Sequence, residues 1–178
     1  MFNVSTLYKR FAGALALLSL LAGCATVVSS ASPTLASGDK VAILPILNLT
    51  QTPQAGARVE SIAESLLLAG GRYSIKRYQG DSDRDALFQP VGENTVQQAA
   101  AAARSQGMTF GLTGSVQEWR YKVGVDGEPA VGVSLKLINL ETGEVVWNAA
   151  GNKTGWSRSS VSGVGQDLLN SLLSPLLK

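Results

Sequence analysis

The stretch FGLTGSVQEWRYKVGVDGEPAVGVSLKLINLETGEVVWNAA, Phe110 to Ala150, decides the fold class. Two turn signals cut it into three strands. Val125-Asp126-Gly127-Glu128 contains Asp-Gly, which tolerates the positive φ a tight hairpin needs. Glu141-Thr142-Gly143-Glu144 is the second turn. Between them Val131, Val133, Leu135 and Leu137 alternate with Gly132, Ser134 and Lys136, the period of a strand with one buried face. Phe110 to Val123 reads as the strand before, and Val145, Trp147 and Ala149 alternate on the strand after. The three form an antiparallel meander.

Toward the N-terminus the period changes. Val41 to Leu49 (VAILPILNL) is almost continuously apolar, as in a strand buried on both faces. Pro45 cannot donate to a ladder, so it predicts an edge position or a bulge. Thr52-Pro53 predicts a helix start. Val59, Ile62, Ala63, Leu66 and Leu67 follow helical spacing, and Gly70-Gly71 ends that helix. Arg72 to Arg77 reads as a short strand, and Gln79 to Gly92 as a polar irregular segment. Asn94, with Gln97 three residues on, predicts the cap of a second helix whose inner face is small: Val96, Ala99, Ala100 and Ala103. Gly107 ends it. After the meander a last helix is predicted from Ser157 or Ser159. Val161, Val164, Leu168 and Leu172 mark its inner face, and Pro175 its end. The order β-α-β-α-β-β-β-α predicts an α/β domain, one mixed sheet with helices on both faces.

The first 23 residues read as targeting rather than fold. Lys9 and Arg10 precede a 13-residue apolar and small run, Phe11 to Gly23. A spanning helix needs roughly 20 apolar residues, so the run fits a signal-peptide core. It closes on Leu21-Ala22-Gly23-Cys24, which resembles a bacterial lipobox. The expected organisation is a signal peptide over 1–23, a lipidated flexible tether over 24–38, and a single domain over 39–178. Bacterial lipoproteins of this kind carry three acyl chains on the cysteine, palmitate among them. One chain binds a membrane reversibly, so several imply permanent attachment. Ala25 and Thr26 follow Cys24 where an inner-membrane retention signal has Asp, which favours the periplasmic face of the outer membrane. The Ser-, Ala- and Thr-rich tether would let the domain stand roughly 20 Å from its anchor.

Composition removes several function classes. The chain has 15 Lys+Arg and 13 Asp+Glu, and removing Lys9 and Arg10 leaves 13 of each. Nothing in that balance points to a nucleic-acid partner. There is no His, so neither a Ser-His-Asp arrangement nor a His metal site can form. Asp81-Ser82-Asp83-Arg84-Asp85 opens like a calcium loop, but Ala86 and Gly92 stand where Gly and Glu are required. Gly163-Val164-Gly165 falls inside the last predicted helix, not in a phosphate loop. No catalytic residue, metal or cofactor is expected. Acid pairs distant in sequence are the catalytic class left open.

Three stretches carry a family resemblance: PILNLTQTPQAG (Pro45 to Gly56), LTGSVQEWRYKVGVDGEPAVGVSL (Leu112 to Leu135) and GWSR (Gly155 to Arg158). Together they resemble the PelC lipoproteins of the Pel exopolysaccharide export machinery, across the mature domain and in the same order. The resemblance implies a fold related to the curli secretion subunit, to TolB N-terminal-type domains and to activators of penicillin-binding proteins. It implies a homo-oligomeric ring of twelve beneath the outer membrane, working with a PelB-like protein that joins a barrel to helical repeats. The cargo would be a cationic polysaccharide of the biofilm matrix, guided by an acidic opening. In this chain Trp156 is then the candidate membrane contact, an indole with Arg158 nearby. Asp126 and Glu128, at a hairpin tip, are the candidate acidic lining. Asp81, Asp83 and Asp85 are weaker candidates for it. Arg120 and Arg158 are candidate interface residues.

Three other classes compete. A curli-type pore inserts spanning strands of about 9–11 residues with an apolar outer face. Gly114 to Val123 has Glu118, Arg120 and Lys122 on one face and Ser115 and Gln117 on the other. A lipoprotein activator that docks a cell-wall synthase would share the fold. A glycan-cleaving enzyme is the most distant.

Overall fold

The computed structural model describes residues 25–78, 92–124 and 127–178. The predicted signal peptide, Cys24, the acidic run Asp81, Asp83 and Asp85, and Asp126 lie outside the described residues. Six strands and three helices follow in chain order: β1 (Ala25–Ser29), β2 (Lys40–Asn48), α1 (Ala55–Gly70), β3 (Ser74–Arg77), α2 (Glu93–Ser105), β4 (Phe110–Tyr121), β5 (Pro129–Asn139), β6 (Val145–Thr154) and α3 (Val161–Leu177).

From β2 onward this is the predicted β-α-β-α-β-β-β-α order, and β1 is added in front of it. All six strands form one mixed sheet in the order β1-β6-β5-β4-β2-β3. The two strands that flank β2 run parallel to it, and the other pairs are antiparallel. The chain moves from β2 to β3 through α1, then back past β2 to β4 through α2. Crossovers of one hand in opposite directions put their helices on opposite faces. Accordingly α1 and α3 cover one face. There Val59, Ala63 and Leu67 of α1, and Leu168, Leu172 and Leu176 of α3, bury Ile43, Leu112, Trp119, Val133, Leu137 and Trp147. On the other face α2 packs its small side, Ala99 and Ala103, on Ala42, Leu44 and Leu140.

Pro45 resolves to the bulge alternative. β2 is an interior strand, and its register with β4 shifts between Ile43 and Ile46. The Ile46 amide, released from the ladder, donates to Glu60 Oε1 on α1 at 2.9 Å. The Pro45 carbonyl accepts from Thr113 Oγ1 at 2.7 Å. Both groups are buried and would be expensive to leave unpaired.

Several boundaries differ from expectation. Ala25–Ser29 is a strand, not part of a free tether: it pairs antiparallel with β6, Ala25 opposite Lys153 and Ser29 opposite Ala149. Thr26, Val27 and Val28 are β-branched, and β6 would otherwise offer an open edge. α1 begins at Ala55, two residues after Pro53, because Gln54 adopts a left-handed conformation with φ 58°. α2 is capped by Gly92 and not by Asn94, whose position falls within the first turn. α3 starts at Val161, and Ser160 Oγ accepts from the Gly163 amide. Pro175 lies inside α3 and does not end it; buried Leu172, Leu173 and Leu176 hold the last turn despite the missing donor.

Candidate functional site

One end of the sheet collects the described candidates Arg120, Glu128, Trp156 and Arg158. The register sets this. Tyr121 at the end of β4 pairs with Pro129 at the start of β5. Ala130 pairs with Thr154 at the end of β6, and Lys153 with Ala25 at the start of β1. The hairpin tip, the turn carrying Trp156 and the first described residue therefore share an end. Ala25, the residue that follows Cys24 in the sequence, thus begins β1 at this end.

The turn from Gly155 to Ser160 is tightly held. The Gly155 amide donates to the Pro129 carbonyl at 2.9 Å, and the Ser159 amide to the Trp156 carbonyl at 2.8 Å. A Cβ on residue 155 would lie 2.5 Å from Val164 Cγ2 and 3.0 Å from Pro129 Cγ, so only glycine fits. The Val161 amide at the start of α3 donates to the Tyr121 hydroxyl at 3.2 Å. Tyr121 thus links the β4 end to the helix that follows Trp156. Sequence reading missed this link, because one tyrosine beside a turn carries no periodic signal.

Of the three tryptophans, Trp119 and Trp147 are each 1 % exposed, whereas Trp156 is 60 % exposed. Trp156 is therefore a surface indole and not a core residue. Tyr121 and Val123, at the same end of the sheet, are 50 % and 98 % exposed. Among the described residues, no helix is long and apolar enough to cross a membrane.

The charged candidates divide. Arg120 Nε pairs with Glu118 Oε1 at 2.9 Å within the same strand. Arg158 is exposed and makes no ion pair with a described residue. Glu128 is exposed on the hairpin, where its carbonyl accepts from the Lys122 amide at 2.7 Å. The sheet end thus mixes both signs, and its apolar side chains distinguish it more than its charge does.

The β1, β6 and β5 part of the second face lies beyond α2. A shallow groove of about 570 Å³ runs there, lined by Val28, Ser115, Ser134, Lys136, Asn148 and Ala150 among others. Ser115 and Ser134 hydroxyls lie 3.0 Å apart, and Gln117 Nε2 donates to both. These groups can bind by hydrogen bonds, but the groove holds no paired acid and base. Among the described residues no cluster of His, Cys, Asp or Glu could hold a metal ion.

No family model matches the chain, and no curated protein does. Solved structures do. A PelC dodecamer from Paraburkholderia phytofirmans is 44 % identical over 86 % of this chain and 98 % of its own, with a TM-score of 0.72. A variant of that dodecamer in another crystal form is also 44 % identical, over 85 % and 97 %, with a TM-score of 0.73. Lipoprotein GNA1162 from Neisseria meningitidis is 14 % identical over 78 % and 97 %, with a TM-score of 0.53, and shares the fold alone.

Proposed function

The chain belongs to the PelC family, and from that premise we propose that it is an outer-membrane lipoprotein whose twelve-membered ring passes Pel polysaccharide to an export barrel. The observation that carries the reading is 44 % identity to a dodecameric PelC over nearly the whole of that chain. Heterologous contacts that close a ring need no twofold surface, which suits a domain whose two sheet edges differ.

The sheet end supplies the anchoring half of the proposal. Cys24 holds the acyl chains. Because β1 starts at the next residue, the lipid pulls directly on the edge of the sheet. Trp156 lies at that same end, so lipid and indole face one bilayer. Attachment then comes from Cys24 and orientation from Trp156, repeated around the ring. An indole suits the headgroup region because its apolar body and polar N–H meet two environments at once.

The transport half is electrostatic. A cationic polymer needs many weak contacts, since tight sites would stall it. Glu128 and Asp126, on the hairpin, are the proposed acidic guides, and a PelB-like barrel with helical repeats is the proposed partner. The chain's own role is seating and guidance and not bond cleavage.

The test is made on the lipidated protein purified from outer membranes. Its mass should correspond to twelve acylated chains, and its gene should restore polysaccharide secretion to a strain lacking it. A monomer in mild detergent, or restored secretion by a Cys24→Ser variant found free in the periplasm, would overturn the reading.

A further inference from the structure

Among the described residues, half of one sheet face has no helix over it. α2 lies on the β2 side, where Ala99 and Ala103 bury Ala42 and Leu44. β5, β6 and β1 stand uncovered beside it, with Ser134 opposite Ala150 and Ala150 opposite Val28. Three strands at a spacing of about 4.8 Å offer about 14 Å, room for one helix of about 10–12 Å diameter. The floor is small and poor in charge. Toward the anchor end Glu118 is held by Arg120. Farther along, Lys136 is exposed and makes no ion pair with a described residue. The opposite side of the domain carries a matching surface. There α1 turns Ala57, Ser61, Ser65 and Leu68 outward at helical spacing, with Leu68 54 % exposed. The Ser65 hydroxyl donates to the Ser61 carbonyl at 2.8 Å and so is satisfied within the helix. Glu64 flanks this stripe, and its pair with Arg77 is 3.6 Å long.

We propose that α1 of a second copy of this chain packs along β5 and β6 on the open half-face, with Glu64 of one copy against Lys136 of the next. The proposal rests on the ring reading above. Charge and height identify the occupant. Arg77, the cation beside Glu64, is the Cα partner of Ile43; Ile43 partners Leu112, and Leu112 partners Leu137, the residue after Lys136. Glu64 and Lys136 therefore lie at nearly one height along the strands, on opposite faces. Rotation about an axis parallel to the strands keeps heights, so it brings the acid of one copy to the exposed cation of the next without sliding. A head-to-tail ring also needs two different patches on opposite sides of the subunit, and α1 and the open half-face are such a pair. α2 lies on the same side as the open half-face, so contact through it would turn two copies face to face and close at two. α3 lies on the same side as α1, but it turns Gln166, Asp167 and Asn170 outward, and Asp167 is held by Lys153.

An interface on the faces of the sheet leaves both strand ends free. Every Trp156 turn then collects on one rim of the ring, as the anchoring proposal needs, and Glu128 stays open to solvent at that rim.

The experiment uses the full lipidated chain in mild detergent. Cys24 is the only cysteine and is blocked by its acyl groups, so Ser61→Cys with Ala150→Cys supplies the only free thiols. A short bismaleimide should link each copy to both neighbours and give a ladder up to twelve chains on a denaturing gel. Either single variant should give none. Lys136→Glu should lose the oligomer, and Lys136→Glu with Glu64→Lys should regain it. Three outcomes would overturn the α1 assignment alone: an oligomer of twelve whose double variant runs only as single chains, dimers from Ala150→Cys by itself, or a ladder from Asn170→Cys with Ala150→Cys. An oligomer unchanged by Lys136→Glu would overturn it as well. A monomeric mass for the parent protein would overturn the ring reading, and this assignment with it.

Discussion

Gly165 of α3 lies against the indole of Trp119: a Cβ at residue 165 would be 2.4 Å from the ring's Cη2 and 2.8 Å from its Cζ3. The contact lets α3 sit close over β4. It explains why a helix otherwise rich in Leu contains a glycine there.

Gly165→Ala should therefore destabilise the domain despite Ala being the better helix former. The helix-propensity gain is about 1 kcal/mol, whereas overpacking a buried contact costs about 1–3 kcal/mol. Chemical denaturation should show a net loss. A gain in stability would mean that Trp119 can shift without penalty.

Glu60 is buried, and its carboxyl titrates above its ordinary value of 4.5. Burial is the largest cause; the Ile46 amide and Arg77 pull the other way, and Glu64 adds to the rise. The folded protein thus holds this proton more tightly than the unfolded chain does. The resulting stability is fully present below the unfolded value and is lost as pH rises through the folded one. Glu60→Gln keeps an acceptor for Ile46 but does not ionise. It should flatten the dependence of melting temperature on pH above 4.5 and exceed the parent at neutral pH. Glu60→Ala strands the Ile46 amide and should cost about 1–3 kcal/mol at acid pH, and less as pH rises, because it also removes the buried charge.

Gly151 on β6 faces β1 so closely that a Cβ would lie 2.6 Å from the Thr26 carbonyl oxygen. Gly151→Ala should push β1 off the sheet while the buried core stays folded. Hydrogen exchange at residues 25–29 should rise to the rate of free chain, with circular dichroism nearly unchanged. Retained protection would show that β6 bends to accept the methyl group.

Trp156→Ala should leave folding stability within about 0.5 kcal/mol, as for most surface substitutions, and should lower secretion. A large loss of stability in the melting curve would sink the membrane-contact assignment, because it would make Trp156 a packing residue.

Asp126→Asn combined with Glu128→Gln should reduce secretion while the oligomer's mass stays the same. Secretion at the parent level would remove the hairpin acids from the transport route. A broken ring would reassign them to the subunit interface.

Local patterns were legible and long-range closures were not. Val131, Val133, Leu135 and Leu137 declared a half-buried strand because alternation repeats every two residues. The apolar positions of α1 and α3 declared their inner faces at helical spacing. The cap of α2 was misread, since Gly92 leaves no side-chain signal and Asn94 leaves a false one. β1 was missed because pairing with a strand more than a hundred residues away writes nothing into five exposed residues.

The sequence by itself determined the types and order of the elements from β2 onward, the two alternatives open at Pro45, and the family resemblance. Each of these is written in short stretches whose residues lie close together in the chain. Only the tertiary structure decided that Pro45 makes a bulge, that Trp119 and Trp147 are core while Trp156 is surface, and that Ala25, Tyr121, Val123 and Gly155 share one end. The reason is physical. Strand order and register come from which apolar faces can be buried together, and that balance is struck over the whole molecule at once.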